Sequence, residues 1–116
     1  MAWRGLDFEL KEEPSTEELL AWLGRVLDAE GVRVERAVEH DWGLELTLRV
    51  GPRRTLLGVG KLPDKKRTYR AFTRPPTLLD YLFGQGRLWL RSRALRALEN
   101  ALKKSPEVKS WRWVDL

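Results

Sequence analysis

VRVERAVEHDWGLELTLRVGPRRTLLGVGKL, residues Val32 to Leu62, is the stretch whose reading decides the fold. Val32, Val34 and Val38 alternate with Arg33, Glu35 and Glu39. Leu44, Leu46, Leu48 and Val50 alternate in the same way with Glu45, Thr47 and Arg49. A period of two places one set of side chains on a covered face and the other in water, the pattern of half-buried strands. HDWG, residues 40–43, joins the two as a tight turn, and GPRR, residues 51–54, leads into a third strand, because Asp, Gly and Pro supply the backbone conformations that a reversal needs. That third strand, TLLGVGKL, is apolar on both phases and reads as more buried; its Gly58 and Gly60 mark a bulge or a close backbone approach. PDKK then turns into a fourth strand from about Arg67 to Thr73. These segments predict a four-stranded antiparallel meander.

Upstream, PSTEELLAWLGRVLDAEG, residues 14–31, predicts a helix. Ser15 followed three residues later by Glu18 makes a capping box, and Gly31 is placed to supply the left-handed stop. Leu19, Leu20, Leu23, Val26 and Leu27 form its apolar stripe, while Glu17 and Glu18 suit the positive end of the helix dipole. Residues 1–13 read as an N-terminal arm or short edge strand, with Leu6, Phe8 and Leu10 alternating against Asp7, Glu9 and Lys11. Downstream, Pro75 and Pro76 stop the sheet, and LLDYLF, residues 78–83, predicts a short helix capped by Thr77 and ended by Gly84. A long C-terminal helix follows from about Leu88 to Lys104, and VKSWRWVDL, residues 108–116, predicts a final strand. The expected architecture is a single α+β domain over residues 1–116: an N-terminal helix, the four-stranded meander, a short and a long helix packed on one sheet face, and a closing strand, in a two-layer sandwich.

Composition narrows the function classes. The chain of 116 residues is near the commonest size of a single domain. It has no cysteine, which removes disulfides, thiolate catalysis and cysteine-ligated zinc and points to a cytoplasmic setting. No stretch approaches the roughly 20 apolar residues that cross a bilayer, so no membrane partner is expected. The many charged residues beside a single Asn, a single Gln and a single Met suit a thermophile, and the 15 Arg against 7 Lys a bacterial source. Residues 1–50 carry 6 basic and 12 acidic side chains, residues 51–116 carry 16 and 5. Such asymmetry fits either a polyanion partner or two halves that neutralise each other.

No catalytic, metal or cofactor-binding residues emerge. His40 is the only histidine and sits beside Asp41 in a predicted turn, and no serine lies in a nucleophile-elbow context. The order helix, three strands, helix, strand resembles the core of the restriction-endonuclease-like nucleases. Their acid–any–lysine motif would fall on Val59, Gly60 and Lys61, with valine in place of the acid, and Glu45 or Asp41 would stand for the second acid. The resemblance therefore implies a degenerate nuclease fold lacking a ligand for a hard divalent cation. Helix, strands and helix, with Arg87, Arg91, Arg93 and Arg96 near the start of the last helix, also resemble a double-stranded-RNA-binding domain in topology, which implies phosphate contacts from those arginines.

Two binding surfaces are legible. KLPDKKRTYRAFTRPP, residues 61–76, holds six basic residues, and strand alternation sets Phe72 between Arg70 and Arg74, an arrangement suited to stacking on a base while cations hold phosphates. With Lys65, Lys66, Arg67 and a helical stripe of Trp89, Arg93 and Arg96, these residues form the candidate polyanion surface. The bland counterpart is an ion-pair ladder in which Glu35, Glu39 and Glu45 face Arg67, Arg70 or Arg74. The second surface is tryptophan-rich: Trp111 and Trp113 share one face of the last strand and, with Trp42, are the candidate protein interface. The expectation is a non-catalytic binding module for a protein partner or a second copy of itself. Nucleic-acid binding is the alternative, and a degenerate nuclease fold the more distant one.

Overall fold

The computed structural model describes residues 4–73 and 88–115, with side chains through residues 4–73 and 93–115. In chain order the elements are β1 (Arg4–Leu10), α1 (Thr16–Asp28), β2 (Val32–His40), β3 (Gly43–Val50), β4 (Arg53–Lys61), β5 (Thr68–Thr73), α2 (Leu88–Lys104) and β6 (Val108–Asp115). All six strands belong to one antiparallel sheet, ordered β2-β3-β4-β5-β1-β6.

This corrects the expected architecture. The sheet is not a four-stranded meander with a closing strand beside it: β1 and β6 continue it past β5 to six strands. The N-terminal segment is neither an arm nor an edge strand, since β1 pairs on one side with β5, Leu6 opposite Ala71 and Phe8 opposite Tyr69, and on the other with β6, Leu6 opposite Trp113 and Phe8 opposite Trp111. Interior position explains why Asp7, on its polar phase, is only 5% exposed. The expected pairing of a short and a long C-terminal helix is corrected as well. The packing helices among the described residues are α1 and the 93–104 stretch of α2, which are of similar length, and LLDYLF lies outside the described residues.

Local chemistry explains α1. The Ser15 side chain accepts from the Glu18 backbone N–H at 3.2 Å, and the Glu18 carboxylate accepts from the Ser15 N–H at 3.0 Å. These reciprocal bonds satisfy two donors that a helix start otherwise leaves unpaired. At the far end Gly31 takes φ 79°, where a side chain would be strained. The face carrying Leu19, Trp22, Leu23 and Leu27 packs down, as do Ala94, Leu95, Leu98 and Leu102 of α2. Both meet one side of the sheet, where Leu6, Phe8, Leu46, Leu48, Leu57 and Ala71 are all but inaccessible. Because strand side chains alternate, the complementary set, which includes Asp7, Glu45, Thr47, Gly58, Gly60, Arg70, Phe72 and Arg112, lies on the face turned away from both helices. Among the described residues, no helix is long and apolar enough to cross a membrane.

Candidate functional site

The open face owes its shape to three glycines. Gly43 of β3 stands opposite Gly60 of β4, and Gly58 stands between Glu45 on one side and Phe72 on the other. With no side chains at these places, the Phe72 ring lies down over β4. A Cβ added at Gly58 would come within 2.5 Å of Phe72 Cζ. Trp42, projecting from the β2–β3 turn, covers Gly60 and meets Phe72 with ring centroids 5.5 Å apart and planes at 47°. His40 stacks on Trp42 at 5.1 Å and 9°, with its Nε2 3.8 Å from Glu45 Oε1. The result is a platform of three aromatic rings on a sheet surface. Trp42, 43% exposed, is the one large hydrophobic side chain among the described residues to stand out in solvent.

Arginines border the platform. In one cross-strand row Arg70 faces Asp7, and Asp7 faces Arg112. Arg70 donates to both carboxylate oxygens of Asp7, Nε to Oδ1 at 2.7 Å and Nη2 to Oδ2 at 3.0 Å. This bidentate geometry is the strong form of a charged hydrogen bond and raises the guanidinium's pKa further. In another row Arg33, Arg49 and Arg54 face one another across β2, β3 and β4, a like-charge arrangement that costs energy unless offset. The offset comes from the bulge between Val34 and Arg36, which frees Glu35 to accept from Arg54 Nε at 2.9 Å and Arg49 Nε at 3.2 Å.

Chiefly through the hydrogen bond from Arg54, opposed by burial and reinforced by Arg49, the Glu35 carboxyl lies below its ordinary 4.5. A folded-state pKa below the unfolded one means that this contribution to stability is present above pH 4.5 and lost as pH falls through the folded value. The melting temperature should therefore drop on acidification below that pH, and Glu35→Gln should make the drop shallower. An unchanged acid profile in Glu35→Gln would show that the bulge carboxylate does not offset its arginines.

The residues singled out from the sequence fall into separate places. Phe72 and Trp42, assigned to different surfaces, come together in the platform. Arg70 is committed to Asp7. Arg67 takes φ 64° in the β4–β5 turn and donates through Nη1 to the Lys11 carbonyl at 2.9 Å, so it ties β5 to the end of β1. Lys65 and Lys66 are exposed in the same turn. Arg93 and Arg96 are exposed on α2, on the helix side of the sheet and thus away from Phe72, while Arg74 and the Trp89 side chain lie outside the described residues. Trp111 and Trp113 sit half-buried on the helix side of β6. Trp113 Nε1 donates to Glu99 at 2.5 Å, Arg4 lies 4.5 Å over its ring, and Lys103 lies 5.5 Å over the ring of Trp111. The acidic ladder exists with other partners than those expected, Glu35 with Arg49 and Arg54, and Asp7 with Arg70.

Lys61, the lysine of the nuclease comparison, donates to Glu13, and Val59 beside it is core. A separate cleft of about 600 Å³ opens between the start of α1 and the α2–β6 link, walled by Leu10, Leu19, Trp22 and Pro106. The Trp22 indole N–H has no acceptor among the described residues, but it is fully enclosed.

Sequence reasoning passed over Asp7 and Arg112 and did not join Trp42 to Phe72. The available signal was the pair Gly58 and Gly60, two residues apart on one strand face, which asks for something large to lie over them. No protein-family model, no curated protein and no solved structure matches the chain.

Proposed function

We propose that this chain is a small non-catalytic binding module that takes an acidic protein segment on the open face of its sheet, with Trp42 as the anchor. The observation that carries the reading is the exposed Trp42 held in contact with both Phe72 and His40. An aromatic ring already held in place loses little freedom on binding, and Trp and Arg are the residue types on which interface energy concentrates.

Charge selects the partner class. Arg33, Arg36 and Arg112 make no ion pair among the described residues, and they flank the platform from β2 and β6. The cations between them are already engaged, Arg70 by Asp7 and Arg49 and Arg54 by the single carboxylate of Glu35. A nucleic-acid strand needs a continuous track of free cations along its phosphates. Free charges set at the two sides of an aromatic centre fit a peptide with an apolar middle and acidic flanks better.

Selection from a phage-displayed random peptide library tests this. The protein should enrich acidic peptides bearing aromatic residues. The enriched peptides should bind Trp42→Ala at least about 30-fold more weakly, the loss typical of a hot-spot residue of 2 kcal/mol or more. Trp42→Ala should still unfold in one cooperative thermal transition, because the ring lies on the open face and not in the core. Enriched peptides that bind Trp42→Ala equally, or no enrichment together with oligonucleotide binding that weakens steeply with salt, would overturn the reading.

A further inference from the structure

The register sets His40, Gly43, Gly60, Arg70, Asp7 and Arg112 in one cross-strand row on the open face, one residue from each strand in sheet order. Trp42 lies over Gly60, and Arg112 stands exposed at the β6 end of the row. Beside Arg112 the face sinks into a pocket of about 190 Å³ that is lined by Lys65 of the β4–β5 turn, Thr68, Ser110 and Arg112. Two carboxylates also line it, and both are engaged: Asp7 accepts two hydrogen bonds from Arg70, and Glu9 lies 3.8 Å from Lys109 Nζ. Lys65 and Arg112 make no ion pair among the described residues, and the Ser110 hydroxyl has no hydrogen-bond partner there. Two uncommitted cations and a hydroxyl in one pocket suit an oxyanion, because guanidinium and ammonium groups hold carboxylate or phosphate oxygens through charged hydrogen bonds.

We propose that this pocket takes a carboxylate of the acidic segment whose apolar residue sits on Trp42, so that the segment crosses the strands along the row from Gly60 to Arg112. The inference rests on the proposed function for its anchor and adds the direction and spacing of the ligand. Neighbouring strands lie about 4.8 Å apart, so the steps from β4 through β5 and β1 to β6 span roughly 14 Å. An extended segment advances about 3.3 Å per residue, which sets the acidic residue about four positions from the apolar one. An even separation also turns both side chains of an extended segment to the same side, here toward the sheet. Between the two ends the row offers little to obstruct the segment, since Gly60 has no side chain and Arg70 is held by an Asp7 that is only 5% exposed.

Two measurements test this, and the first needs no peptide. In proton–nitrogen correlation spectra of the full chain at constant ionic strength, inorganic phosphate should shift the backbone amides of Thr68, Ser110 and Arg112 saturably. Arg112→Gln and Lys65→Gln should each weaken that binding about tenfold, the loss of a charged hydrogen bond. Trp42→Ala should leave it unchanged. In the second, peptides enriched on the wild type should carry Asp or Glu about four residues from an aromatic residue. Replacing that acid by its amide should weaken binding to the wild type about tenfold and to Arg112→Gln hardly at all, the signature of a direct pair. Phosphate that gives no saturable shift at the pocket overturns the proposal whatever the peptides do. Peptides that depend on Trp42 but lack the acid at that spacing, or whose acid matters equally to Arg112→Gln, overturn it and leave the proposed function standing. Phosphate held at the pocket with no peptide enriched overturns both and reduces the pocket to a site for a free anion.

Discussion

Phe8→Ala is expected to lower the free energy of unfolding by about 3–5 kcal/mol, measured by urea denaturation, the range for emptying a large aromatic site in a core. Phe8 is 1% exposed and lies between Trp22 of α1, at 6.0 Å, and Tyr69 of β5, at 5.6 Å and nearly parallel. It therefore joins the helix layer to the sheet at the strand that connects β5 to β6. Domains of this kind have about 5–15 kcal/mol of stability in total, so the variant would be near the limit of folding. The size of the effect tests the corrected topology directly. On an N-terminal arm or a frayed edge the same truncation would cost about 0.5 kcal/mol or less, and a loss that small would contradict the interior placement of β1.

The second large effect is expected at Gly43, where Ala should cost about 3 kcal/mol or more. Gly43 has φ 149°, and a Cβ there would stand 2.2 Å from the Val59 carbonyl oxygen and 2.8 Å from Gly60 Cα. Those are backbone atoms of the facing strand, in the register that sets Gly43 opposite Gly60, so no side-chain rotation relieves the clash and the hairpin must open. A backbone at this φ is open essentially to glycine alone and costs a residue with a side chain about 1–3 kcal/mol. Since Trp42 precedes Gly43, the same variant should lose peptide binding as well as stability. Gly24 provides the contrast. It lies within α1 with nothing near its missing Cβ, and Gly24→Ala should stabilise by about 0.5–1 kcal/mol. Equal effects at the two positions in thermal unfolding would refute the packing argument.

The placement of the candidate site shows where local reasoning ends. Residue type alone picked out Phe72, Trp42 and Arg70, because an aromatic between cations or a tryptophan in a turn is unusual wherever it falls. It did not show that Phe72 and Trp42 share a platform, or that Arg70 is neutralised by Asp7, 63 positions away. Both depend on which strands are neighbours. The glycines that make room for the platform were visible as a gap in the strand, but what fills the gap comes from the adjacent strand and from a turn beyond the next one.

By itself the sequence determined the elements whose causes lie within a few residues: the capping box that starts α1, the left-handed Gly31 that ends it, the alternation of β3, and the turns at residues 40–43 and 51–54, whereas the alternation expected along β2 holds only to Val34, because the bulge at Glu35 turns Ala37 to the helix side and Val38 to the open face. Only the tertiary structure decided the order of the strands. Alternating Leu6, Phe8 and Leu10 against Asp7 and Glu9 is the same pattern on an edge strand and on an interior one, because it records which face is covered and not how many neighbours the backbone has. The second neighbour of β1 is β6, at the far end of the chain. Pairing between such distant segments is settled by burying Phe8 and Leu6 under both helices and by Arg70 meeting Asp7, and these contacts exist only once the sheet has closed around them.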